Sequence, residues 1–218
     1  MKVVAESFSW PFRGHWKSSW IIGLLTVLLL PVAFIPLLGY AVAATREAEQ
    51  DASTGPPKWM LSGRLLSDGF WTAVVVVLLT APFALLVNPL AGWLFDAYVM
   101  RGTDVPVSQL YAHTIALFVL ALPWGLLLLI HIPHATGRFA HSGRAVDLFD
   151  LPASIEAVRR DFTTWNLAAA AMVTGWAIGL ACVGLLCLGI VPGVFYAILV
   201  SAHASAALQN QGANSPVR

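Results

Sequence analysis

The sequence predicts an all-helical polytopic membrane protein, and three observations carry that reading. Of its 218 residues, 58% are hydrophobic and 11% charged, whereas a soluble domain is about half apolar and about a quarter charged. Mean hydropathy is +0.77. Several apolar runs reach the roughly 20 residues needed to cross about 30 Å of hydrocarbon, and the charged residues gather between them. The expected architecture is a bundle of about four spanning helices, a proline-broken helical hairpin at the N-terminus and amphipathic helices on the cytoplasmic surface. Residues 1–208 then form a single membrane domain and 209–218 a disordered tail. A formal net charge of +1 offers no basic face to nucleic acid.

The leader, residues 6–20, interleaves Phe8, Trp10, Phe12, Trp16 and Trp20 with Arg13, His15 and Lys17. Such a mixture suits the headgroup layer, where aromatic rings and long basic side chains both settle, and Pro11 limits any helix there to a turn or two. Residues 20–44 are apolar but broken by Pro31 and Pro36. They end in an Ala-Val-Ala-Ala that superficially resembles a signal-peptidase site, yet the run is longer than the usual leader core of about 7–15 residues, so cleavage is not expected. A polar stretch, 45–68, contains Arg46, Glu47, Glu49 and Asp51 and the breaker Gly55-Pro56-Pro57. Within it, Trp59, Met60, Leu65 and Leu66 predict a short interfacial helix over 58–67.

Residues 69–87 form the first clear span. Asn88-Pro89 marks a kink, and the apolar pattern resumes through 97–100, so that helix is expected to run long and bent. A tight turn at 101–106, containing Gly102 and Asp104, leads to a second span over 107–132, with Pro123 and Gly125 inside it. In the second polar stretch, 134–164, Asp150 can cap a helix opened by Pro152. Leu151, Ile155, Val158 and Phe162 recur there at helical spacing. Arg159 and Arg160 on this helix either reach lipid phosphates or form a solvated edge beside Glu156 and Asp161. The last apolar block, 165–208, is about two spans long and divides near 188–193. Ala171, Gly175 and Gly179 lie four apart, a small-residue face suited to close packing within the chain. Cys182 and Cys187, the only cysteines, fall on different sides of a helix and read as packed thiols rather than a disulfide or metal pair.

Orientation follows from the twelve Lys and Arg residues, which concentrate on the cytoplasmic side. If 20–44 crosses with the N-terminus inside, only four of them are cytoplasmic; if it crosses the other way, eight are. If it turns back at 31–36, the leader, both polar stretches and the tail share one side, eleven charges against one. A re-entrant hairpin is therefore expected, with arms of about a dozen residues or about 18 Å, too short to cross. Its turn must be shielded by the spanning helices, because unpaired backbone is not tolerated in lipid. Pro57, Arg64 and Trp71 faintly echo Pro152, Arg159 and Trp165, as a duplication or a shared need for interfacial helices would produce.

The order of Phe8-Ser-Trp-Pro-Phe12 with Trp16-Lys17, then Pro36-Leu-Leu-Gly-Tyr40, Pro57-Lys-Trp59, Asp68-Gly69, and the exit from Phe195-Tyr196 to His203 resembles the bacterial and archaeal membrane proteins grouped as domain of unknown function 4013. The resemblance covers most of the chain. It implies a multi-pass protein of the cell membrane and no established activity, so it supplies no functional residue.

Polar residues near the membrane are the places to seek chemistry. His131-Ile-Pro-His134, beside His141, is the sharpest group, but Pro133 is expected to disturb the helix between the histidines and no carboxylate joins them. They read as interfacial histidines, with no metal and no cofactor expected. No nucleophile-elbow, Walker, Rossmann or zinc-protease motif is present, and the expectation is a protein that is not an enzyme. It would organise lipid or protein partners at the cytoplasmic face of a prokaryotic inner membrane, a second membrane protein or another copy of itself among them. Arg13, Lys17, Arg64, Arg159 and Arg160 are the expected headgroup or partner contacts. The alternative is a small secondary transporter, or a transporter subunit, with its binding site at the broken N-terminal helix.

Overall fold

A computed structural model describes residues 2–101, 105–182 and 189–214. Among these the regular structure is helical: α1 (Lys2–Ser9), a 3-10 turn (Trp10–Phe12), α2 (Trp16–Leu28), α3 (Leu30–Gln50), α4 (Gly63–Phe95) and a π-helical turn (Asp96–Arg101). Then follow α5 (Val107–Ser142), a second 3-10 turn (Ala145–Phe149), α6 (Leu151–Arg160), α7 (Phe162–Ala181) and α8 (Ile190–Asn214). Gly102, Asp104, Cys187, Leu188 and residues 215–218, on which several expectations rested, lie outside the described residues. α8 remains helical through Asn214, into the stretch expected to be a disordered tail.

Three helical stretches among the described residues are long and apolar enough to cross a membrane: Gly63–Val99, Val107–Ser142 and Ile190–Gln209. The chain divides into two compact units, residues 1–74 with 130–218, and residues 75–129. In the larger unit α8 is the hub. It packs on α7, α3, α2 and α1, and Phe195 and Leu199 on it are fully buried. The smaller unit comprises parts of α4 and α5, linked by stacked pairs: Phe83 on Trp124 at 5.9 Å, and Trp93 on His113 at 3.7 Å.

Five expectations are corrected. The leader does not simply lie on a surface, because Trp10 is fully buried, Ser7 pairs with His203 at 2.9 Å, and Tyr196 donates to the Phe8 carbonyl at 3.2 Å. The break in the apolar N-terminal run falls at Leu29, ahead of Pro31, while Pro36 is carried inside α3. A proline in the first helical turn costs no hydrogen bond, so Pro31 opens α3 rather than ending a helix. α3 then continues through Gln50, past the expected end of the run, so that α2 has 13 residues, close to the expected dozen, but α3 has 21. The helix expected over 58–67 is absent up to Ser62. That stretch is irregular, and α4 begins at Gly63 and runs unbroken past Pro82 and Pro89. Pro133 likewise leaves α5 helical from His131 to Ser142.

Candidate functional site

The residues of the larger unit that carry the sequence motifs converge in space. Tyr40, fully buried on α3, stacks on Trp59 with ring centroids 4.0 Å apart. The Pro57 carbonyl accepts from the Tyr40 hydroxyl at 2.9 Å and from Ser19 Oγ at 2.8 Å, and Trp59 Nε1 donates to the Ser19 carbonyl at 3.0 Å. Three separate segments thus clasp one another through two carbonyls and one aromatic pair. These contacts engage Pro57 and Trp59, and Ser62 Oγ accepts from Leu65 N at 3.2 Å at the start of α4.

α3 and the first turns of α4 meet backbone to backbone. A Cβ on Gly39 would collide with the Leu65 carbonyl oxygen, and one on Gly69 with the Ile35 carbonyl oxygen. Only glycine at both positions permits that proximity. It places Asp68, with 9% of its side chain exposed, 3.0 Å from Arg46 Nη2. Arg46 Nε donates to the Ala140 carbonyl at 2.9 Å, so one guanidinium ties α3, α4 and the end of α5 together. Beside this pair lies a cavity of about 150 Å³ whose lining includes Arg46, Lys58, Arg64 and Asp68.

A second polar group gathers where α5 ends. Gly143, at φ +69, terminates that helix as a left-handed glycine commonly does. Arg138 reaches Asp147 at 3.1 Å and Asp150 at 2.8 Å. Arg144 reaches Asp147 at 3.1 Å, and Ser142 Oγ donates to the same carboxylate. The hydrogen bond from Arg144, then that from Ser142, holds Asp147 below the ordinary carboxylate pKa. Arg138 does the same for Asp150, whose side chain also caps α6 by accepting from Ala153 N at 3.0 Å. His131 and His134 come together on Ser154, their Nδ1 atoms 3.0 and 3.2 Å from its hydroxyl. His131 Nε2 lies 3.0 Å from the Leu148 carbonyl, which only accepts, so that nitrogen carries a proton.

Of the expected contact residues, Arg64 lines the cavity. Arg13 instead donates to the Ala52 carbonyl at 3.2 Å, and Lys17 lies 5.9 Å from the Trp16 ring. Arg159 and Arg160 are exposed on α6, Arg160 beside Glu156 at 3.3 Å. Ala171 is fully buried, and Cβ atoms on Gly175 and Gly179 would meet Val200 and the Gly193 carbonyl of α8. Sequence reasoning missed Arg46, Lys58 and Asp68 as one group, and it missed the Arg138 network. The visible signal for the latter was the pair of acids at Asp147 and Asp150 ahead of a helix. No group of three or more His, Cys, Asp or Glu among the described residues is arranged to hold a metal ion.

The model of the family described as protein of unknown function DUF4013 matches residues 22–201. No curated protein and no solved structure matches the chain.

Proposed function

The chain belongs to this family of unknown function, and on that premise we propose that it is a non-catalytic, multi-pass protein of a prokaryotic cell membrane that organises lipid or protein partners at the cytoplasmic face. In this reading α7 joins the three longer apolar helices as a fourth span. α2 and α3 form a re-entrant hairpin with Leu29 at its tip, and the N-terminus, both polar stretches and the C-terminus are cytoplasmic.

The observation that carries the reading is the side of α6 that the chain leaves open. Ile155 on α6 is 46% exposed, with Phe149 at 46% and Val146 at 70% just before the helix and Phe162 at 59% at the start of α7. The one fully buried residue of α6 is polar, Ser154. Exposed apolar side chains before, on and after α6, beside exposed Arg159 and Arg160, suit the boundary between headgroups and acyl chains. The transporter reading has less support, because the helix break is flanked by exposed Leu28, Leu29 and Val32, none of which can coordinate a polar solute.

The test uses full-length protein in vesicles, with both native cysteines replaced by alanine and Ile155→Cys carrying an environment-sensitive dye. Brominated acyl chains should quench the dye strongly at 155 and weakly at Arg160→Cys. An unquenched probe at 155 would defeat the reading.

A further inference from the structure

We infer that the cavity beside the Arg46–Asp68 pair is a binding site for the phosphate of an anionic phospholipid. This rests on the membrane reading above and adds a ligand class and a place. Arg46, Lys58 and Arg64 line the cavity, and Asp68 is the carboxylate that faces them. Asp68 is already engaged by Arg46. Lys58 and Arg64 are exposed and make no ion pair with any described residue. The cavity therefore carries an excess of positive charge that the protein itself leaves unanswered.

The surroundings select a lipid over a free anion. Met60, on the cavity wall, is 72% exposed, and its neighbour Leu61, 76% exposed, extends an open apolar track from it. The helix long and apolar enough to cross a membrane begins at Gly63, so the cations lie at its polar start, where headgroups would meet chains. A ligand that fills both parts has a phosphate at one end and acyl chains at the other. Arg46 is fixed in advance by the Ala140 carbonyl and Asp68, which reduces the ordering cost of binding.

The experiment titrates purified full-length protein in neutral detergent with dioctanoyl phosphatidylglycerol, dioctanoyl phosphatidylcholine or sodium phosphate at matched ionic strength, and reads bound ligand by native mass spectrometry. Phosphatidylglycerol should bind saturably and at least about tenfold more tightly than phosphatidylcholine, taking roughly 1 kcal/mol per basic residue. The double substitution Lys58→Gln with Arg64→Gln, at exposed positions, should weaken it roughly 30-fold, about 5-fold per cation. Arg159→Gln with Arg160→Gln should leave this site intact. Equal binding of the two lipids, no effect of the Lys58 and Arg64 substitutions, or equally tight binding of sodium phosphate would each overturn the inference. If the 155 probe is still quenched by lipid in those cases, the proposed function stands and only the site fails; if it is not, both fail.

Discussion

Pro57, Arg64 and Trp71 lead into α4 much as Pro152, Arg159 and Trp165 lead into α7, yet the chain handles the two lead-in segments in opposite ways. In the first, residues 57–62 are irregular and clasped by Ser19 and Tyr40, and the following turn is pressed against α3 at Gly39 and Gly69. In the second, Pro152 sits in the first turn of a helix capped by Asp150, and the helix leaves Ile155 exposed. The first segment is held by α2 and α3 without a helix of its own, whereas the second joins a local cap at Asp150 to contacts from α5, with Arg138 on Asp150 and His131 and His134 on Ser154. That difference separates the two: the clasped segment borders an open charged cavity, and the capped one leaves Ile155, Arg159 and Arg160 to its surroundings.

The contrast breaks most severely at Asp68. Asp68→Ala leaves Arg46 mostly buried without its anion, and removing one member of a buried pair costs on the order of 3 kcal/mol. We expect a large fall in the denaturation midpoint of the detergent-solubilised protein. The double variant Arg46→Met with Asp68→Leu should recover much of that loss, since a well-packed apolar pair can replace a buried ionic one. A single variant no less stable than the parent would mean the pair does not hold the first segment.

A smaller effect is expected at the second segment. Asp161 caps α7, its side chain accepting from Thr164 N at 3.0 Å. Replacing a capping aspartate with alanine costs about 1 kcal/mol, so Asp161→Ala should lower the midpoint modestly. Combined with Asp68→Ala its effect should simply add, because the two caps and pairs share no contact partner. Strong non-additivity in the thermal midpoints would show that the segments are coupled after all.

These two segments also explain what the sequence made legible. Hydropathy located α4, α5 and α8 because burial in lipid demands a continuous apolar run, and the Asp150 cap was readable because cap and helix are adjacent. Gly39, Tyr40, Trp59, Asp68 and Gly69 were visible as a pattern, but their reason was not. Each acts through a contact made across some twenty or thirty positions. The same long-range contacts overrode local propensity at 58–62, where aromatic and aliphatic spacing alone predicts a helix. Pro31 was misread for a different cause: a breaker within a helix is an initiator in its first turn, and only the position of Leu29 distinguishes the two.

The smallest expected effect concerns acid. Asp147 and Asp150 are held below the ordinary carboxylate value of 3.8 by Arg144 with Ser142 and by Arg138, respectively. A carboxylate whose pKa is lower folded than unfolded stabilises the fold at pH above the unfolded value. That contribution disappears as pH falls through the lower, folded value. Thermal midpoints measured from about pH 7 down to about pH 3 should therefore stay level and then decline at the acid end. Arg144 is 71% exposed, so screening by water keeps the decline shallow. Asp147→Asn should start from a lower midpoint and show a weaker acid decline, because the variant no longer has that proton to take up. An unchanged acid slope in the variant would assign the decline to other carboxylates.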